Sequence, residues 1–200
     1  MTGIAIHDGE LPLDGESVVG SVSHAVLTFD EPLRMFGDDS ALNTENFRLF
    51  ADGIEVDGGI VSIQFGMNKA ADLAGTIDPA TGLPFDLSAV PTNKWEAVIT
   101  FDGNTSAMGV QPLLAGNYQV RALAPIPPTT TSYGESGLRD EVGNPLGSSG
   151  YLPSGQNFTQ NFLVTYQPSG DDDRLDAADP GRDGRTFPES AKAVAVDADG

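Results

Sequence analysis

Short runs of alternating apolar and polar residues recur along the chain, separated by turn residues. HAVLTF, residues 24–29, places Ala25, Leu27 and Phe29 on one face, as a half-buried strand requires. NFRLFA (46–51) does the same with Phe47 and Leu49, and GIVSIQF (59–65) sets Ile60, Ser62 and Gln64 opposite Val61, Ile63 and Phe65. KWEAVITF (94–101) is the strongest run, with Trp95, Ala97, Ile99 and Phe101 together. NYQVRALA (117–124) aligns Tyr118, Val120 and Ala122, and NFTQNFLVTY (157–166) aligns Phe158, Phe162, Val164 and Tyr166. GIAIHD (3–8) and ESVVGSV (16–22) are expected to supply a first strand. Only MNKAADLAG (67–75) reads as a short helix. Seven Asp-Gly pairs, Asp52-Gly53 among them, supply residues that tolerate the positive φ of tight turns. This pattern predicts an all-β antiparallel sandwich of about seven strands, each with one buried and one wet face.

Two connections are too long for simple turns, residues 66–93 and 125–155. They are read as decoration on the sandwich, since neither carries a recognisable chemical motif. Residues 168–190, PSGDDDRLDAADPGRDGRTFPES, are rich in acids and poor in large apolar residues. They read as an acidic inter-domain linker after a sandwich domain at 1–167. Strand-like alternation resumes at 191–200, the expected start of a following module.

Charge narrows the partners. The 29 acidic and 10 basic side chains give a formal net charge of −19, which repels phosphate backbones and anionic membrane surfaces. Divalent cations and solvation suit such a surface better. There is no cysteine, which excludes disulfides, thiolate metal sites and thiol catalysis. The first residues, MTGIAIHDGE, lack the basic region and apolar core of a signal peptide. The chain is expected to be a segment of a longer polypeptide, exported by a signal outside it.

Four stretches occur in a familiar order: AVLTFDEPL (25–33), LNTENFRLF (42–50), LLAGNYQV (113–120) and LRDEVGNPL (138–146). Together they resemble the bacterial immunoglobulin-like domain of the SbsA type, known from surface-layer and other large exported proteins. The resemblance covers roughly residues 17–166 and departs from the family pattern at the two long insertions. It implies an immunoglobulin-like sandwich acting as a non-enzymatic, extracellular structural or spacer module of a bacterial surface or secreted protein. Its implied partners are neighbouring domains of the same polypeptide, with homotypic edge-strand contacts or surface glycans as further candidates. Leu114, Gly116 and Tyr118 resemble a tyrosine corner, with the ring in the core and the phenol capping backbone groups. Trp95, the only tryptophan, is expected to pack between the sheets.

Candidate chemistry is sparse. His7 and His24 are read as exposed structural histidines, and no nucleophile elbow, phosphate loop or zinc-protease motif occurs. No catalytic residue is assigned. Calcium is the one candidate cofactor, because it takes carboxylates, amide oxygens and carbonyls in flexible loops. Asp140, Glu141 and Asn144 form one candidate set, in a turn built around Gly143. Asp171, Asp172 and Asp173, with Asp176, form a second, and Asp197 with Asp199 a third. Each set reads more readily as a solvated turn or acidic linker. Two other functions stay open: an adhesin or carbohydrate-binding module using the loops at 66–93 and 125–155, and an accessory domain of an exported hydrolase. The loop site would need exposed aromatics, for which Phe85 and Tyr133 are the candidates.

Overall fold

Each alternating run becomes a strand because its apolar face finds a second sheet to pack against. A computed structural model describes residues 3–6, 15–20, 22–78, 82–85, 87, 91, 93–126, 135–147 and 155–165. Among these residues the strands are β1 Gly3–Ile6, β2 Glu16–Val19, β3 His24–Phe29, β4 Phe47–Ala51, β5 Ile54–Glu55, β6 Ile60–Met67, β7 Trp95–Phe101, β8 Gly116–Ala122 and β9 Phe158–Thr165. One α-helix, α1, spans Lys69–Leu73, and a 3-10 turn spans Thr44–Asn46. The strands form a four-stranded sheet, β1-β3-β7-β6, and a five-stranded sheet, β2-β9-β8-β4-β5.

The count exceeds the expected seven for local reasons. GIAIHD and ESVVGSV do not make one strand: β1 pairs antiparallel with β3, whereas β2 joins the other sheet and runs parallel to β9. The short β5 exists because Asp52 and Gly53, at φ +49° and +82°, turn the chain tightly back along β4. Positive φ at both central residues suits the twist of paired strands, and Asp-Gly supplies it at low steric cost.

The inner faces mesh as the alternation requires. Ala25, Leu27 and Phe29 from β3, and Ala97, Ile99 and Phe101 from β7, meet Phe47 and Leu49 from β4, Val120 from β8, and Phe162 and Val164 from β9. Phe29, Phe47, Phe101 and Phe162 are fully buried, each contributing roughly 1.5–3 kcal/mol relative to exposure. Trp95 is half-buried at the border of this core, stacked on Phe65 with centroids 5.7 Å apart. One expected face is reversed. A register shift between Ile60 and Ser62 turns Ile60 toward the core and leaves Val61 exposed, although Ile63 and Phe65 remain inside. A bulge inserts one residue and so inverts the alternation before it.

The expectation of a wet outer face fails on the four-stranded sheet. There the described residues of the 66–93 connection fold back over β3 and β7. Ala70 and Leu73 of α1, with Phe85 and Leu87, pack on Val26 and Val98 as a second apolar cluster. The polar outer positions beneath are buried too: His24, Glu96 and Thr100. Glu96 accepts a hydrogen bond from the Ala70 N–H at 2.8 Å, satisfying a helix donor that would otherwise be stranded. Asn68 ties the ends of the connection, donating its N–H to the Lys94 carbonyl at 3.0 Å and accepting from the Asn93 N–H at 2.7 Å.

Candidate functional site

The turn at 137–147 holds the first candidate set. Leu138 and Leu146 are buried on its two sides, joined by the Leu146 N–H to the Leu138 carbonyl at 2.9 Å. Between them Asp140 is 5% exposed. Its Oδ1 accepts the Asn144 N–H at 2.7 Å, and its Oδ2 accepts from the Asn144 side-chain nitrogen at 2.6 Å. Burial acts to raise the Asp140 pKa. Hydrogen bonds from the Asn144 side chain and the backbone of Asn144, Gly143 and Val142 prevail, and hold the carboxyl below its usual range. Gly143 adopts φ +100°, and its carbonyl accepts from Arg139, whose Nε also donates to Asp39 at 2.9 Å. Asp140 therefore fastens the turn to itself, with guanidinium groups close by, while Glu141 is exposed. Among the described residues no group of three or more His, Asp or Glu side chains gathers closely enough to hold a metal ion.

The second candidate region is the covered face, where Ser23, His24 and Asp78 meet. His24 is buried, contrary to the exposed position expected for it. The Ser23 hydroxyl donates to Asp78 Oδ2 at 2.6 Å and lies 3.0 Å from His24 Nδ1. A nucleophilic triad needs the imidazole between hydroxyl and carboxylate. Here the hydroxyl stands in the middle, and its proton points at Asp78. Phe85 closes the cluster, meeting the His24 ring edge-on at 4.9 Å. Buried at 6% exposure, Phe85 cannot offer its face to a sugar, which corrects its assignment as a stacking residue. The polar trio fixes the insertion to β3.

The third region carries no recognisable chemical motif. The outer face of the five-stranded sheet is bare of any covering segment among the described residues. Strand register brings Phe50 of β4, Gln119 of β8 and Asn161 of β9 into one row, with Arg48 and Arg121 paired in the next. The Arg121 guanidinium lies 4.5 Å over the Phe50 ring and donates to Gln119 Oε1 at 2.5 Å. Gln119 Nε2 donates in turn to Asn161 Oδ1 at 2.8 Å. Arg48 is neutralised by Glu45 and Glu55, at 3.3 and 3.0 Å. Phe50, Gln119, Arg121 and Asn161 border a cleft of about 510 Å³ that is also lined by Leu163, Gly15 and Gly53. The sequence signal was available in the polar positions of NFRLFA, NYQVRALA and NFTQNFLVTY, but their adjacency depends on strand pairing.

Of the remaining positions, Tyr118 stacks on Phe162 at 5.8 Å within the core. Of the two neighbouring leucines, Leu113 is fully buried in the same core, whereas Leu114 is 55% exposed. Tyr133, Asp171, Asp172, Asp173, Asp176, Asp197, Asp199, His7 and the linker at 168–190 lie outside the described residues. No helix among the described residues is long and apolar enough to cross a membrane. Compared with known proteins, the chain matches no family model and no curated protein sequence.

Proposed function

We propose that this chain is an immunoglobulin-like structural module of a bacterial surface or secreted protein, spacing its neighbours in the same polypeptide. The strand order carries the reading. β1, β3, β7 and β6 correspond to strands A, B, E and D of an immunoglobulin sandwich, and β4, β8 and β9 to C, F and G. Tyr118 sits near the start of the F-equivalent strand, where a tyrosine corner belongs.

The residues of the ordered motifs also have architectural work. Leu33 is buried and bridges to Asp140. Asn46 is fully buried and donates to the carbonyls of Asp38 and Ser40, at 2.7 and 2.9 Å, fixing the entry to β4. Asp140, Gly143 and Leu146 shape the turn before the last strand. Motifs whose buried residues specify a frame suit a spacer. The burial of Phe85 weakens the loop-based carbohydrate reading.

Antibody labelling of intact and permeabilised source cells tests the location. Labelling of intact cells, or of the secreted fraction, is the expected result. Labelling that requires permeabilisation overturns the reading. Calcium stiffening of the acidic segment belongs to the same proposal, and a melting temperature unmoved by millimolar calcium removes that part.

A further inference from the structure

The open outer face of the five-stranded sheet has the chemistry of a recognition site, and we propose that it binds a carboxylate-bearing sugar unit, with the carboxylate on Arg121. This inference goes beyond the spacer reading and does not depend on it.

The guanidinium is the first reason. It carries five N–H donors, of which the Gln119 side chain takes one. Among the described residues no carboxylate pairs with Arg121, although the chain has 29 acidic and only 10 basic side chains. Its neighbour in the register, Arg48, shows the alternative, being held by two glutamates. The Arg121 guanidinium instead has its central carbon 4.5 Å over the Phe50 ring, a contact that restrains the group while it keeps donors for a planar, two-oxygen acceptor.

The amide row is the second reason. Arginine only donates, so Gln119 must turn its oxygen toward Arg121 and its nitrogen toward Asn161. Asn161 must then accept through its oxygen, which directs its own amide nitrogen away from Gln119. One guanidinium thus sets the orientation of two amides before a ligand arrives. Such preorganisation lowers the ordering cost of binding.

The shape is the third reason. About 510 Å³ lies within the range of small-molecule sites, roughly 300–1,000 Å³. Leu163 gives the cleft apolar surface for the C–H face of a sugar ring, while Asn117, Gln119 and Arg121 present polar groups for hydroxyls and carboxylate. Gly15 and Gly53 add no side chain to its lining, and a Cβ at either would meet nothing within 4 Å. A polyanion is a poor occupant, because the net charge of −19 repels it. A single carboxylate feels mainly the nearby guanidinium, since charges beyond about 8 Å are screened at physiological salt.

An NMR titration of the full chain tests the proposal. The probes are D-galacturonic acid, D-glucuronic acid and N-acetylneuraminic acid, with D-galactose and acetate as the two halves of the chemistry. The expected result is saturable binding of at least one acidic sugar, about tenfold tighter than galactose or acetate. The side-chain amide resonances of Gln119 and Asn161 should shift. Hexuronic and sialic acids separate the two sources of such a unit. Arg121→Gln should weaken binding about tenfold or more, with Arg121→Lys intermediate. Gln119→Ala provides a second variant that removes the amide relay and keeps the charge, and it should weaken binding as well. Absence of saturation by all three acidic sugars overturns the proposal. So do equal affinity for galactose or acetate, shifts that map away from this face, or unchanged binding in the folded variants.

Discussion

The two sheets turn very different outer faces to the surroundings. On the four-stranded sheet, β3 and β7 are sealed beneath α1, Phe85 and Leu87, and even Glu96 and Thr100 are buried. On the five-stranded sheet, Phe50, Gln119 and Arg121 stay half-exposed and bond mainly with one another. The first face resembles the parallel-sheet situation of burial on both sides, reached here by an insertion. The second keeps the ordinary division between core and solvent. The insertion has therefore buried one face, whereas among the described residues no segment covers the other.

The comparison breaks most visibly at Phe85. Phe85→Ala is expected to cost about 3–5 kcal/mol, the range for emptying a buried aromatic site, read from urea denaturation. A cost below about 1 kcal/mol would mean that the insertion does not anchor to β3. Glu96→Ala tests the same face more gently. It strands the buried Ala70 N–H and should destabilise by about 1–3 kcal/mol, with Glu96→Gln recovering part of the loss.

Acid provides a test that spares the open face. Folding lowers the Asp140 pKa, so its stabilising contribution is complete above the usual carboxylate range, near about pH 4. It is lost as pH falls through the lowered native value. Asp140→Asn should cost about 1 kcal/mol at neutral pH, with a gap to the parent that narrows on acidification. The guanidinium–amide row contains no carboxylate, so the resonances of Gln119 should not follow that titration. The smallest effect belongs to Phe50→Leu. It removes a ring contact worth roughly 0.5–1 kcal/mol and barely moves the melting temperature. A loss comparable to that of Phe85→Ala would erase the distinction between the faces.

The alternation of apolar residues made the strands and most of the core legible. Leu27, Phe47, Ile99, Val120 and Phe162 lie inside because a period of two admits no other arrangement once the sheets pack. Alternation does not name a strand's partner, so the separation of β1 from β2 was hidden. Nor does it reveal a cover. Glu96 and Thr100 read as wet positions because a polar residue is normally kept out of the core, and only a partner such as the Ala70 N–H reverses that. The open site stayed illegible for a related reason. Phe50, Gln119 and Asn161 are far apart in sequence, and only the register joins them. The Asp140 turn was the most readable feature, since Asp-x-x-Gly-Asn makes its bonds within five residues.

One pairing has a mechanical meaning. β2 and β9 lie near the two ends of the sandwich sequence and run parallel, joined along Glu16–Val19 and flanked by bonds from the Gly15 N–H to the Asn161 carbonyl and the Gly20 N–H to the Thr165 carbonyl. A pull on the two ends of the sandwich would first load β1 against β3 and, once β1 had released, would draw β2 and β9 in opposite senses along their own axes. Their hydrogen bonds would then be loaded in shear, sharing the force, rather than peeled open one after another. The short parallel pair would act as a clasp that resists tension until its bonds yield together.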